Sequence, residues 1–159
     1  MTNPETSADL LHILQRELSG KRALLIDRYP NARTSLRTML AALGIGSIDN
    51  ASTSLEVLRQ VRRHHFDLIV SDYRLEDGRD GQQLLEELRQ QQLVPRASVF
   101  LMVTSERAYH NVVSVAELAP DDYLIKPFTA DQLQARLLKA VFKKNFFAPV
   151  YRKLDEGAY

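Results

Sequence analysis

The sequence of 159 residues contains no cysteine, no tryptophan, and only six glycines and six prolines. Without cysteine the chain has neither a disulfide scaffold nor a thiolate metal site, which suits a reducing compartment. No apolar run approaches the roughly 18 residues that span a bilayer, and residues 1–5 lack the basic and apolar regions of a signal peptide. We therefore predict a cytoplasmic protein of one-domain size with no membrane partner.

An excess of charge of one sign is also absent. Lysine and arginine number 21 against 20 aspartates and glutamates, so the chain has no global attraction to nucleic acid. The basic stretches 59–65 and 139–144 fall on predicted helices whose apolar faces lie elsewhere, and we interpret them as solvated faces. The sequence has no glycine-rich phosphate loop and no nucleophile-elbow serine. We predict that the protein is not an enzyme and that this segment does not bind nucleic acid directly.

What the sequence does contain is a fivefold alternation of short apolar segments with longer amphipathic ones. The predicted strands are 23–26, 46–50, 66–71, 99–103 and 123–125. The predicted helices are 31–43, 52–63, 82–92, 108–118 and 129–142, with an additional helix at 7–18. The segment 46–50 is the weakest of these strands and is assigned mainly because the surrounding pattern alternates. Short, largely apolar strands alternating with helices favour an α/β fold, a parallel sheet with helices on both faces.

Four polar side chains follow the predicted strands, at the edge where such sheets bind ligands. They are Asp27, Asp72, Thr104 and Lys126. A carboxylate pair suits Mg²⁺, while a lysine and a hydroxyl suit a phosphoryl group. A carboxylate can also act as a nucleophile and form an acyl phosphate. The residues alone therefore predict a phosphoryl site at this edge, with Mg²⁺ as a candidate second ligand.

Five segments resemble, in their order and spacing, the receiver domain of two-component response regulators in its CheY-like form. These segments are Leu24–Asp27, Phe66–Asp72, Asp80–Gly81, Val103–Ser105 and Tyr123–Phe128. The resemblance spans about residues 21 to 142 and implies a flavodoxin-like, doubly wound, five-stranded parallel sheet of order 2-1-3-4-5. It implies a function in phosphorelay signal transduction, with a histidine kinase or phosphotransfer protein as partner, and a homodimer as a further expectation.

The resemblance also implies roles for individual residues. Asp72 corresponds to the phosphoacceptor, and Thr104 and Lys126 correspond to the residues that bind the phosphoryl group. Tyr123 stands at the aromatic switch position that moves as the hydroxyl engages the phosphate. The peptide between Lys126 and Pro127 is expected to be cis.

The metal site implied by the resemblance is incomplete in this sequence. It would use Asp27, Asp72 and the backbone carbonyl of Arg74, but receivers usually end the first strand with two adjacent acids, and here Arg28 replaces the second. A guanidinium in place of a carboxylate repels a divalent cation, so we expect Mg²⁺ to bind weakly. The loop after Asp72 is one residue longer than usual. It contains Glu76 and Asp77, and either is a candidate to replace the missing carboxylate.

Two further positions, Arg74 and Glu106, fall where receivers tune the rate of dephosphorylation. Two interpretations of Arg28 stay open. Arg28 points outward and Asp72 is still phosphorylated, or Arg28 folds over Asp72 and the domain is a phosphorylation-independent pseudo-receiver that mediates protein interaction or dimerisation. The first is slightly favoured because Asp72, Thr104 and Lys126 are all present. A flavin-binding protein, which would be yellow, is a more distant alternative.

The two ends of the chain extend beyond the resemblance. We predict a helical extension at 1–20, a receiver domain at 21–145 and a tail at 146–159. The apolar face of the first helix is expected to pack on its own domain, with dimerisation as the alternative. The tail is either ordinary or the first helix of a truncated tetratricopeptide repeat, in which case the chain is a fragment of a longer regulator.

Overall fold

The apolar segments form one parallel sheet in a computed structural model that describes residues 4–105 and 118–146. Its strands are β1 (Arg22–Ile26), β2 (Ser47–Ala51), β3 (Leu68–Asp72), β4 (Val99–Thr104) and β5 (Asp122–Ile125). The order across the sheet is β2-β1-β3-β4-β5, with every neighbouring pair parallel. The predicted α/β, flavodoxin-like fold and its strand order are confirmed.

The described helices lie close to their predicted positions. They are α1 (Pro4–Leu18), α2 (Pro30–Ala42), α3 (Ser54–Arg63), α4 (Gly81–Gln90) and α5 (Ala130–Phe146). Helix α3 begins two residues later than predicted because Thr53 is extended and caps it, its hydroxyl accepting a bond from the backbone N–H of Glu56. The helix predicted at 108–118 lies almost wholly outside the described residues.

The sheet separates two apolar layers because successive side chains of a strand face opposite sides. On one side Leu25, Val70 and Leu101 pack with α1, α2 and α5. On the other side Ile69 and Phe100 pack with α3 and α4. In the described segments no helix combines the length and the apolar character needed to cross a membrane.

Helix α1 packs on the rest of the molecule through part of its apolar face. Leu14 is fully buried and Leu18 nearly so, both in the layer that contains α2 and α5. The Gln15 side chain donates to the carbonyl of Ala42 at 3.3 Å. These contacts favour packing on its own domain over a free partner helix. The proposed domain boundaries stay a prediction, and the segment read as a possible repeat helix lies outside the described residues.

Candidate functional site

The carboxyl ends of β1 and β3 bring two aspartates together. Ile26 pairs with Ser71 in the sheet register, so the next residues, Asp27 and Asp72, lie side by side. The Nζ of Lys126 lies 3.1 Å from Oδ2 of Asp27 and 3.4 Å from Oδ2 of Asp72. One ammonium group therefore bridges both carboxylates, and three of the predicted site residues meet at one point.

Asp27 is held rigidly in place. Its side chain is 1% exposed, its Oδ1 accepts a bond of 2.9 Å from the backbone N–H of Tyr29, and Oδ2 faces Lys126. The guanidinium of Arg33 donates to the backbone carbonyl of Asp27 at 2.5 Å. These bonds fix the turn between β1 and α2.

Asp72 lies in an environment that disfavours its charge. Burial raises the pKa of its carboxyl above the ordinary value of 3.8, and Asp27 raises it further. Lys126 opposes this effect through its charge and its hydrogen bond, but the net shift is upward. The ionised Asp72 is therefore less stabilised than an exposed aspartate, and a partner that neutralises its charge would be favoured there.

Lys126 and Thr104 are positioned by the pairing of the last two strands. The N–H of Lys126 donates to the carbonyl of Thr104 at 2.9 Å, directly after the paired residues Thr104 and Ile125. The peptide between Lys126 and Pro127 is cis, as expected. Thr104 is buried at 2% exposure, yet it borders the open space next to Asp72.

A cavity of about 220 Å³ opens directly above Asp72. Its walls are formed by Arg28, Tyr29, Asp72, Tyr73, Arg74, Thr104, Ser105 and Lys126. Arg28 is an exposed residue of the wall, and its guanidinium carbon lies 4.7 Å from the centre of the Tyr29 ring. Within the described residues Arg28 forms no ion pair with Asp72, whose cationic partner is Lys126.

The loop after β3 does not bring its acids to the cavity wall. Asp77 accepts bonds from the backbone N–H and the hydroxyl of Ser54, at the start of α3. The N–H of Glu76 donates to the carbonyl of Ser52 at 3.0 Å. Burial acts to raise the pKa of Asp77, but the bonds from Ser54 outweigh it and the pKa is lowered. The carboxylate of Asp77 thus anchors the loop to the start of α3, and the backbone of Glu76 bonds to Ser52 before that helix. Neither acid lines the cavity, so the structure does not support their compensating for Arg28.

The remaining predicted site residues are distributed around this centre. Arg74 lines the cavity, and Tyr123 is partly buried against the apolar layer of α3 and α4, which raises the pKa of its hydroxyl. Glu106 lies outside the described residues. Sequence reasoning missed the contributions of Tyr29 and Arg33, because both depend on the tight turn that only the folded chain reveals.

Gly81 lies against the backbone of the site. A Cβ at this position would lie 2.8 Å from the carbonyl oxygen of Asp72 and 2.7 Å from Sδ of Met102. Such distances exclude a side chain without displacement of Asp72 or Met102. The N–H of Gly81 also donates to the carbonyl of Tyr73 at 2.6 Å. The start of α4 is thus packed directly on the strand end that carries Asp72.

A parallel sheet of this order, with two aspartates and a lysine at its carboxyl edge, defines a CheY-like receiver domain. The family model "Response regulator receiver domain" matches residues 23–138, and the chain belongs to this family. Among curated proteins, the chain is 28% identical over 118 residues to chemotaxis protein CheY-3 of Vibrio cholerae, covering 74% of this chain and 89% of that protein. It is 33% identical over 114 residues to the probable transcriptional regulator ycf27 of Cyanidium caldarium, covering 72% and 43%.

Solved structures show the same likeness. A sensor protein from Polaromonas sp. JS666 matches with a TM-score of 0.70 and 25% identity, covering 79% of this chain and 98% of that one. The response regulator protein TrrA of Thermotoga maritima, solved in complex with Mg(2+)-BeF, matches with a TM-score of 0.65 and 27% identity, covering 76% and 98%. The chain is therefore part of a two-component signalling family.

The oxygen atoms of this site fit Mg²⁺ in kind but are few. Asp27 and Asp72 direct carboxylate oxygens to one point, where Lys126 now bridges them. Among the described residues, however, no group of three or more acids, histidines or cysteines could hold a metal ion. Mg²⁺ prefers a nearly octahedral shell of oxygens. The site thus offers two carboxylates and lacks the third that the family usually provides.

Proposed function

We propose that this domain accepts a phosphoryl group on Asp72 and thereby switches a protein-interaction surface. The observation that carries the proposal is the single ammonium of Lys126 placed between Asp27 and Asp72 beneath an open cavity. A receiver of phosphate needs an accessible carboxylate and a fixed cation beside it. Membership in the receiver family supports the same function.

In this reaction an Oδ atom of Asp72 attacks the phosphorus of a phosphohistidine. A bond from Oδ to phosphorus forms as the bond from phosphorus to the imidazole nitrogen breaks, and that nitrogen keeps the electron pair. Lys126 neutralises charge on the transferred group, and the hydroxyl of Thr104 is the hydrogen-bond donor we assign to a phosphoryl oxygen. Water later cleaves the acyl phosphate, and we propose that Arg74 and Glu106 tune the rate of this dephosphorylation. We propose that Tyr123 is the aromatic switch residue, whose side chain moves when Thr104 engages the phosphate.

Mg²⁺ is proposed as a weakly held cofactor. Asp27, Asp72 and the backbone carbonyl of Arg74 are the groups that would hold it. When bound, it would neutralise charge on the phosphoryl oxygens. The TrrA complex with Mg(2+)-BeF supports a role for the ion in this family. Arg28 at the cavity wall is expected to weaken its binding by repulsion.

The position of Arg28 favours phosphorylation over the pseudo-receiver alternative. In that alternative Arg28 would fold over Asp72, whereas its guanidinium lies over the ring of Tyr29 and leaves Asp72 to Lys126. We accordingly propose a switch and not an enzyme. Its partner would be a histidine kinase or phosphotransfer protein, and its location the cytoplasm. Whether a second copy also binds stays a prediction.

Chemical phosphorylation tests the proposal. The purified chain is incubated with phosphoramidate and about tens of millimolar Mg²⁺, a high concentration chosen because the ion is expected to bind weakly, and intact mass is measured. We expect a mass increase of one phosphoryl group that Asp72→Asn abolishes and that Asp131→Asn, on exposed α5, leaves unchanged. A protein that stays unmodified, or a modification that survives in Asp72→Asn, would overturn the assignment. The protein should also be colourless, because a yellow sample would indicate a flavin.

A further inference from the structure

The wall of the cavity above Asp72 is dominated by positive charge. Among the described residues that line it, Arg28, Arg74 and Lys126 carry positive charge and Asp72 carries the one carboxylate. Asp27 lies behind the wall, nearly fully buried, and shares Lys126 with Asp72. In the part of the chain that the structure describes, three cationic side chains thus lie around two carboxylates, and Arg28 is the one that replaces an acid. A cavity with this balance attracts a dianion such as a phosphoryl group and opposes a divalent cation.

The fold holds Arg28 at this wall. The preceding residue is anchored by the bonds from Tyr29 and Arg33, so the turn that carries Arg28 is fixed at both sides. The ring of Tyr29 then supports the guanidinium at 4.7 Å. Stacking uses the face of a guanidinium and leaves its edge for hydrogen bonds.

The donors of Arg28 have no other use in the described part of the chain. Among these residues the guanidinium of Arg28 lies over the ring of Tyr29 and forms neither a hydrogen bond nor an ion pair. An arginine edge presents paired donors that match the oxygens of a phosphate. The side chain is thus a charged, oriented and uncommitted donor at the mouth of a cavity that leads to a nucleophile.

We propose that Arg28 lets the Asp72 cavity bind phosphate and react with a phosphodonor even when Mg²⁺, the weakly held cofactor proposed above, is absent. Arg28 holds the oxygens of the incoming phosphodonor at the outer wall, Lys126 holds them at the inner wall, and Asp72 attacks between them. The inference rests on the proposed function and adds to it the source of positive charge. In a receiver with two adjacent acids, those acids bind a divalent cation that neutralises the phosphate. In this chain the guanidinium of Arg28 supplies that positive charge directly.

The rate of labelling by phosphoramidate in excess EDTA tests this role. We expect the unaltered chain to be labelled in EDTA and Arg28→Ala to be labelled about tenfold more slowly, the loss of one charged hydrogen bond. Arg28→Asp should be labelled only when Mg²⁺ is added, because it restores the acidic pair. Arg63→Ala removes an exposed arginine from α3 and serves as the matched control, with no change expected.

A second measurement separates this inference from the proposed function. Inorganic phosphate is titrated into the chain and its Arg28→Ala variant in EDTA, and amide shifts of Tyr73 and Ser105 are followed by NMR. We expect shifts that weaken about tenfold in the variant. Labelling of the unaltered chain only with Mg²⁺, or equal phosphate binding by the variant, would overturn the role of Arg28 and leave phosphorylation of Asp72 intact. If phosphate binding depends on Arg28 but no condition gives labelling, only the assignment of Asp72 as the phosphoacceptor would be overturned.

Discussion

The two edges of the sheet use the same kinds of charged residue in opposite ways. At the amino edge, Asp121 accepts a bond of 2.7 Å from the N–H of Phe100 and lies 3.0 Å from Nζ of Lys144. At the carboxyl edge, Asp72 lies 3.4 Å from Nζ of Lys126, beside a second carboxylate. The first aspartate is enclosed by its partners, whereas the second faces an open cavity.

The difference indicates that the charged residues at the amino edge stabilise the fold, whereas those at the carboxyl edge form a reactive site. Lys144 is buried, which lowers the pKa of its ammonium, while the charge of Asp121 acts to raise it again. It also donates to the carbonyl of Arg96, and so joins α5 to the segment before β4. Asp72 keeps a raised pKa and room for a ligand. A reactive group in an unfavourable setting costs stability that other parts of the fold must supply.

Breaking the amino edge should have the largest effect on stability. Lys144→Met removes the nearer of two cations beside Asp121 and leaves Arg89, whose guanidinium lies 3.6 Å away. We expect a loss of about 3 kcal/mol, the lower end of the range for breaking a buried ion pair, because Arg89 still compensates part of the charge. Urea denaturation at pH 7 measures it. Lys143→Met, at an exposed neighbour, should change stability by less than about 0.5 kcal/mol. Equal effects of the two variants would contradict the structural role of the buried pair, and phosphoramidate labelling of folded Lys144→Met should be unchanged.

Crowding the carboxyl edge should have an intermediate effect on both stability and labelling. Gly81→Ala places a methyl group against the carbonyl of Asp72 and against Met102. Met102 can move, but the backbone of β3 cannot, so we expect a loss of about 1–3 kcal/mol and slower labelling of Asp72. Gly46→Ala is the control, because a Cβ there meets nothing within 4 Å. A fully stable Gly81→Ala with normal labelling would show that the close approach is not constraining.

Neutralising the phosphoacceptor Asp72 should have the smallest effect on stability, and it should stabilise the fold where the other two changes destabilise it. Because the folded-state pKa of Asp72 is raised, its neutral form stabilises the fold below the ordinary pKa of 3.8, and that contribution is lost as pH rises through the folded pKa. Asp72→Asn stays neutral, so we expect it to be more stable than the unaltered chain at pH 7, by less than the losses expected for the two variants above. The gain should shrink towards zero below pH 3.8. Thermal unfolding across this range measures it, and a destabilised variant at pH 7 would contradict the prediction.

Much of the fold was predictable because its signals are local. The runs that became β1, β3 and β4 each contain at least three consecutive apolar residues, which predicts buried strands, and caps such as Thr53 and Asp80 mark helix starts. The strand β2 was weaker, since only its last residue, Ala51, is buried. Strand β2 is an outermost strand of the sheet and pairs only with β1 among the described strands. An outermost strand has fewer neighbours to cover it, which explains the weak apolar pattern.

The site was predictable in its members but not in its arrangement. The positions of Asp27, Asp72 and Lys126 after strands predicted that they would meet. The bridging of both carboxylates by one ammonium was not visible, because it depends on distances across 99 residues of chain. The acids of the loop after β3 were candidates from composition alone, and the fold instead directs Asp77 to Ser54.

The sequence by itself determined the alternation of strands and helices, the residues at the carboxyl edge and the exchange of an acid for Arg28. These properties follow from apolar patterning and from which residue stands after each strand. Only the tertiary structure decided where Arg28 lies, since its place over Tyr29 and at the cavity wall depends on a turn fixed by Asp27 and Arg33. Pattern specifies which groups are present, whereas the direction of a long, flexible side chain is set by the neighbours that folding gives it.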